Sequence, residues 1–200
     1  MNNLMDKKKN IAKKMPNTEI VIIRHGSTKL NNANKIRGWI DVPLDEKGKQ
    51  EAKDAAKLVK KEGLTGLIAS DLDRTQETAA IISKYSGVPL IKVSKDFRPW
   101  HVGIHSGHDA DKVHKILADM VENEPDKQID GGESFNEFKD RFIEGIKKVR
   151  KSYKGKIGIV THYRGDRIYC AWKAKGFPDN NEVDIKEFNK LGIDPGKLNK

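Results

Sequence analysis

The chain reads as an α/β protein with a mostly parallel sheet covered by helices on both faces, and three observations point there. Short apolar runs alternate with amphipathic stretches of helical period, the pattern of successive β-α units. The runs at Glu19-Ile20-Val21-Ile22-Ile23 and Lys156-Ile157-Gly158-Ile159-Val160-Thr161 are almost unbroken in apolar character, as strands buried on both faces should be. Three of the four runs end in residues able to do chemistry, and open parallel sheets bind ligands beyond the carboxyl ends of their strands. Two hundred residues with 36% hydrophobic content suffice for one domain with a packed core.

Residues 1–18 hold Lys7, Lys8, Lys9, Lys13 and Lys14 and no apolar pattern, so a disordered basic tail is expected before a domain spanning 19–180. The first strand runs into Arg24-His25-Gly26. Ser27 to Asp45 is polar and irregular, with Gly38 and Pro43 as breakers, and reads as a loop. At ~20 residues it is longer than an idle connection, which favours a functional loop. Glu46 to Glu62 has helical period, with Ala52, Ala55, Ala56 and Val59 inward, and Gly63 ends it.

A second strand, Leu64 to Ser70, precedes a helix Arg74 to Tyr85 capped by Asp71 or Asp73. Pro89 to Val93 is a third strand, followed by a loop rich in His, Trp and Gly through Gly107, then a helix over Ala110 to Val121. Ser134 is the natural N-cap of a long helix, Phe135 to Tyr153, whose Phe135, Phe138, Phe142 and Ile146 form a core face. The fourth strand ends at His162. A helix passes through Ile168-Tyr169-Cys170-Ala171-Trp172, and 181–200 reads as a polar C-terminal extension.

Composition narrows the function classes. No apolar stretch approaches the ~18 residues of a membrane span, and Met1 to Lys14 has no secretory apolar core. The single cysteine, Cys170, forms no internal disulfide and sits among packing residues, so an inert thiol and a cytoplasmic location are expected. The net charge of +10 indicates an affinity for anions. Helix-turn-helix, zinc-finger and aromatic RNA-binding patterns are all absent, so nucleic acid is the weaker candidate partner. A small phosphorylated substrate or a phosphoprotein is the stronger one.

The strand ends carry the chemistry. The first presents Arg24-His25, the second leads into Arg74, and the fourth presents His162. Parallel neighbours place their carboxyl ends on one sheet edge, so these groups can converge although about 140 residues separate the first from the last. A histidine beside an arginine at such an edge can attack phosphorus while the guanidinium holds the phosphate oxygens.

With these residues the sequence resembles the histidine phosphatase superfamily, which includes the cofactor-dependent phosphoglycerate mutases. The resemblance rests on Arg24-His25-Gly26, Asn31, Arg37-Gly38-Trp39-Ile40-Asp41-Val42-Pro43-Leu44 through Gly48, and Ser70-Asp71-Leu72-Asp73-Arg74-Thr75 with Thr78. Gly132-Glu133-Ser134 and Val160-Thr161-His162 complete it, in order from about Glu19 to Lys175. It implies a three-layer α/β/α sandwich of phosphoglycerate mutase-like fold, a covalent phosphohistidine on His25 and no metal or other cofactor. Arg24, Arg74 and His162 would stabilise charge on the transferring phosphoryl group. Asn31, the backbone at Arg37 and Gly38, Thr28 and Tyr163 are the implied substrate contacts.

One position departs from the pattern. The family usually carries a glutamate after the third strand, in a Leu-x-Glu-x-x-x-Gly context, as general acid for the leaving oxygen. Gly103 and Gly107 align the corresponding segment here, and Pro99 stands where the glutamate belongs. General acid help is typically worth 10²–10⁴-fold, so three readings stay open. His101, Asp41 or Glu133 donates the proton instead; the leaving group needs little help, as in a phosphohistidine, acyl phosphate or diphosphate; or the protein binds phosphorylated ligands with little turnover. A poor acid site also counts against a true mutase, which must return the phosphoryl group to a bound intermediate. His101, His105, His108 and His114 could in principle bind a metal, but Gly103 and Gly107 oppose a helix there and no cysteine or carboxylate completes the set.

Overall fold

A computed structural model describes residues 18–190 and 192–199; the expected basic tail, up to residue 17, lies outside the described residues. A five-stranded sheet has the order β3-β2-β4-β1-β5. Strands β1 (Thr18–Arg24) and β4 (Gly155–Thr161) run parallel, with Ile22 opposite Ile159 and Arg24 opposite Thr161. Strand β2 (Gly66–Ala69) lies on the other side of β4 with Ala69 opposite Val160, and β3 (Leu90–Val93) adds in parallel at the edge. The three inner strands therefore end at one level, which brings the residues following Arg24, Ala69 and Thr161 together.

Side chains alternate across the sheet, so each inner strand feeds two cores. Ile20, Ile22, Ile68, Ile157 and Ile159 pack on one face with Phe138 and Phe142 of α5 (Phe135–Ser152) and Ile168 and Trp172 of α6 (Tyr163–Ala174). Helix α4 (Ala110–Asn123) joins this layer through Val113 and Leu117. Val21, Ile23, Leu67 and Val160 meet Ala55, Ala56 and Val59 of α2 (Glu46–Glu62) and Ala79 and Ile82 of α3 (Asp73–Ser86) on the opposite face. Each such aliphatic side chain contributes roughly 1.5–3 kcal/mol by leaving water. The result is the expected three-layer α/β/α sandwich.

Local signals place the helices. Asp45 accepts the Gly48 N–H at 2.7 Å to cap α2, and Gly63, at φ +68°, ends it. Ser134 and Glu137 form a reciprocal capping box at the start of α5. Glycine is required where α2 meets the turn after β1. A Cβ on Gly48 would lie 2.1 Å from the Ser27 carbonyl oxygen, and one on Gly26 would lie 2.4 Å from the Gly48 carbonyl oxygen.

Three expectations are corrected. The polar loop Ser27 to Asp45 contains one helical turn, α1 (Lys29–Asn32), closed by Thr28 and Asn31. Neither Asp71 nor Asp73 caps α3: the cap position is Leu72, Asp73 is already helical, and Asp71 pairs in two bonds of 2.7 Å with Arg98. A long-range guanidinium outcompetes the cap because the paired, charge-assisted bonds are stronger. Residues 181–190 and 192–199 are no extension. Val183 and Phe188 are buried in the core, α7 (Ile185–Phe188) packs on α6, and β5 (Leu198–Asn199) pairs antiparallel with β1. No described helix is long and apolar enough to cross a membrane.

Candidate active site

His25 follows β1, where its N–H donates to the Thr161 carbonyl at 3.0 Å, and it is 1% exposed. Its Nδ1 is 2.7 Å from the Gly26 carbonyl oxygen. A carbonyl only accepts, so Nδ1 carries the proton and Nε2 keeps the free lone pair. His162, following β4, meets His25 edge to face with ring centroids 5.1 Å apart. Its Nε2 pairs with Ser70 Oγ at 3.1 Å, while its buried Nδ1 has no partner among the described residues. Ser70 follows β2, so all three inner strand ends meet here.

Four arginines surround this pair. Arg74, in the first turn of α3 and 1% exposed, donates from Nη1 to the Ile40 carbonyl (2.9 Å) and from Nη2 to the Gly38 carbonyl (3.1 Å). Arg37 donates from Nη1 to Thr28 Oγ1 at 3.0 Å and to Asn31 Oδ1. Arg24 donates to the Ile193 carbonyl at 2.8 Å and lies over the Tyr163 ring. Arg164, two residues beyond His162, donates to no acceptor among the described residues.

This crowding sets the protonation states. Burial, then Arg37 and Arg74, holds His25 well below the usual imidazole range, and burial with Arg74 does the same to His162. Both rings are neutral at pH 7. Burial and the other guanidiniums bring Arg37 down to about 9, and burial brings Arg74 to about 10. Both remain cationic; among the described residues Asp41 is the carboxylate in ion-pair range of Arg74, at 3.9 Å, and Asp73 acts on it from further off. A neutral imidazole lone pair beside guanidiniums short of counter-charge suits a phosphate ester.

The groups border a cavity of about 60 Å³ walled by Arg37, Gly38, Arg74, Pro99, His162 and Tyr163, with Lys35 and Arg164 at its margin. His25 is not itself a wall and adjoins the cavity through His162. Gly38 is needed where it stands: φ is +51°, and a Cβ would lie 2.8 Å from Val102 and 2.9 Å from Ser106 Oγ. Thr28 and Asn31 are not walls. They hold Arg37, and the Asn31 oxygen is consumed by the Thr28 N–H and hydroxyl and by Arg37.

Pro99 does face the cavity, but the three candidate acids do not. Glu133 accepts from the His101 N–H at 2.9 Å, and both its oxygens are engaged by Arg141. Asp41 accepts the Asp73 N–H at 2.8 Å. His101 packs on Trp39 at 4.2 Å, with Nδ1 accepting from the Gly103 N–H. Among the described residues no three His, Cys, Asp or Glu side chains converge as metal ligands would. Cys170 is half-buried against Asn199, and burial raises its thiol. Ser70, Lys35 and Arg164 are the site residues that sequence reasoning misses. Ser70 could have been found by the strand-end argument that finds His162.

Comparison with known proteins agrees with this geometry. A family model described as histidine phosphatase superfamily (branch 1) matches residues 20–198. An Arabidopsis thaliana metal-independent phosphoserine phosphatase is 35% identical over 152 residues, 72% of this chain and 64% of that one, so the chain matches just under two thirds of that relative's length. A Serratia proteamaculans protein described as a probable phosphoglycerate mutase is 34% identical over 149 residues, 72% of this chain and 69% of its own. The structure of Bacillus stearothermophilus YhfR superposes with a TM-score of 0.73 at 26% identity, covering 90% of this chain and 89% of that one. With Arg24-His25, Arg74 and His162 gathered at one sheet edge, this chain belongs to the histidine phosphatase superfamily.

Proposed function

We propose that the protein is a metal-independent phosphohydrolase working through a phosphohistidine on His25. The observation carrying this reading is the neutral His25 ring, its proton committed to Gly26 and its Nε2 lone pair free beside a cluster of guanidiniums. Nε2 attacks phosphorus in line, forming a P–N bond as the P–O bond to the leaving group breaks. Arg24, Arg37 and Arg74 take up charge on the equatorial oxygens, with a His162 Nδ1 proton as a further donor. Binding an anion selects that tautomer, in which the Ser70 hydroxyl donates to Nε2. Water then attacks the phosphohistidine, the P–N bond breaks, inorganic phosphate leaves and His25 is restored.

The proton for the leaving oxygen is the step with no evident donor. Pro99 cannot transfer one, and Glu133, Asp41 and His101 are engaged away from the cavity walls. This favours small substrates whose leaving group departs as a stable anion or neutral base: a phosphohistidine, an acyl phosphate, a diphosphate or an activated ester. The named activity of the Arabidopsis relative supports hydrolysis without a metal. Mutase chemistry, which the Serratia relative's name records, would need a donor that returns its proton to a bound intermediate.

The test is to trap the intermediate. After mixing with a radiolabelled aryl phosphate and quenching in base, label should stay on His25 and be lost on acidification. His25→Ala should abolish both label and turnover, by roughly 10⁴-fold or more. Turnover without label, or activity surviving in His25→Ala, would overturn the assignment.

A further inference from the structure

The cavity beside His25, about 60 Å³, is small against the ~300 Å³ or more of typical ligand sites, so the part of a substrate beyond its phosphoryl group reaches outside it. A second cavity of about 290 Å³ adjoins it, and the two share Trp100, Tyr163 and Arg164 as common walls. Beyond those walls it is lined mainly by apolar side chains, among them Leu117, Val121 and Phe188. Its ionisable side chains, other than Tyr163, are His114, Arg164 and Arg167, with no carboxylate.

Arg167 is committed: its Nε donates to the Phe188 carbonyl, and its guanidinium lies 4.5 Å from the Phe188 ring. Arg164 is not. It has no hydrogen bond or ion pair among the described residues, and its guanidinium lies distantly over the Trp100 ring, at 6.0 Å. Burial and the neighbouring Arg167 bring it down to about 10, so it is cationic at neutral pH and lacks a counter-charge. A partly buried guanidinium whose donors meet no protein acceptor among the described residues can take an anion.

A third cavity could compete for the leaving group. It is larger, about 450 Å³, but shares no wall with the catalytic cavity, and Glu51, Asp54 and Asp194 line it together with Lys47 and Lys197. Three carboxylates against two lysines leave a net negative wall, which disfavours an acidic group there.

We infer that the side cavity is the leaving-group site, and that Arg164, at its junction with the catalytic cavity, selects substrates whose leaving group has a compact apolar body and one acidic group. The inference rests on the phosphohydrolase reading above, because a leaving group exists only if the P–O bond is cleaved. It goes beyond that reading by assigning a specificity residue and the class of leaving group it selects.

Two aryl phosphates of nearly equal shape and leaving-group strength test it: para-(carboxymethyl)phenyl phosphate and its neutral para-(carbamoylmethyl) amide. The wild-type chain should prefer the acid in kcat/KM by roughly tenfold to a hundredfold, as a charge-assisted pair is worth. In Arg164→Gln that ratio should fall towards one, and in Arg164→Lys it should be partly kept. A ratio is unaffected by the fraction of enzyme that folds, and if Arg164→Gln gives no usable protein the wild-type preference and its weakening at high salt still decide. Turnover of both substrates through His25 at equal kcat/KM would overturn the inference and leave the phosphohydrolase reading standing. No turnover of either, with no label on His25, would instead remove that reading. A preference that survives unchanged in Arg164→Gln would mean that another cation makes the selection, and would overturn the role of Arg164.

Discussion

The Nδ1 of His25 lies 2.7 Å from the carbonyl oxygen of the next residue, Gly26, and this one bond orients the whole site. It fixes the tautomer and points a bare Nε2 away from the backbone. By itself the bond favours the imidazolium, but burial and the surrounding arginines outweigh it and hold the ring neutral. The proposed nucleophile is therefore active well below the usual imidazole pKa of ~6.5. The acid limb of kcat/KM should lie below pH 6.5, and a limb at or above that value would show that His25 is not held neutral.

The same shift fixes how stability depends on pH. His25 and His162 both have folded pKa values below their unfolded ones. Above pH ~6.5 neither state binds a proton there, and this contribution is complete. As pH falls below that, the unfolded chain takes up protons that the native chain refuses, so stability declines by at most about 1.4 kcal/mol per pH unit for each ring. Thermal unfolding between pH 7 and 5 should show the decline, reduced in His162→Gln. A flat profile would show that the rings protonate freely in the native state.

Arg24, Arg37 and Arg74 make the empty site electrostatically unfavourable, since burial lowers each and Arg37 also feels the other two. An oxyanion relieves this. Phosphate or vanadate at about a hundred times its Kd should raise stability by about 2.7 kcal/mol, a rise in Tm of roughly 5–10 °C for a chain of this size. Scanning calorimetry against chloride at equal ionic strength checks it; equal shifts with the two anions would mean screening and no site.

Thr28 is predicted to matter although it does not touch the cavity. Its hydroxyl accepts from Arg37 at 3.0 Å and donates to Asn31 Oδ1 at 3.0 Å, so it holds both partners. Thr28→Val removes both bonds, the one from the Arg37 guanidinium charge-assisted, while Arg37 keeps Asn31; a loss of about 1–2 kcal/mol, roughly fivefold to thirtyfold in kcat/KM for an aryl phosphate, should follow. Asn31→Ala, which removes the other anchor, should cost more. An unchanged kcat/KM in Thr28→Val would show that Arg37 needs no such support.

What could be read from the chain and what could not divide along physical lines. The inner strands were legible because strands buried on both faces are apolar throughout, and His25, Arg74 and His162 because a sheet edge is predictable from strand order. The C-terminal segment was not: a two-residue strand and a four-residue helix have no period to detect, yet the Ile193 carbonyl anchors Arg24 and Asp166 ties down Ile193 and Asn199. That Thr28 and Asn31 also hold Arg37 was not legible, since sequence does not encode which acceptor a guanidinium takes. Asp71 was misread because its partner, Arg98, is 27 residues away and local capping rules do not see it. Arg164 resembled any other surface cation until the two cavities met beside it.

Pro99 gives the sharpest test of whether the site wants for a proton donor. It lines the catalytic cavity, and its carbonyl accepts from Trp39 Nε1 at 2.9 Å and Arg141 Nη2 at 3.2 Å. Both bonds use the main chain, so Pro99→Glu keeps them and gives up only the ring's rigidity, about 0.4–1 kcal/mol. The new carboxyl would sit beside Arg74 and Arg164, which favour its ionised form and hold it below the ordinary glutamate value of ~4.3. It can therefore donate a proton only towards the acidic end of the profile. For an alkyl phosphate, whose leaving group is poor, Pro99→Glu should raise kcat by up to about 10²-fold and the gain should grow as pH falls. For an aryl phosphate with a good leaving group it should change little, so the dependence of rate on leaving-group pKa becomes shallower. Pro99→Gln has the same shape without the proton and should give neither effect. Equal gains in Pro99→Gln, or none at any pH in Pro99→Glu, would show that the proline is not what limits proton transfer to the leaving oxygen.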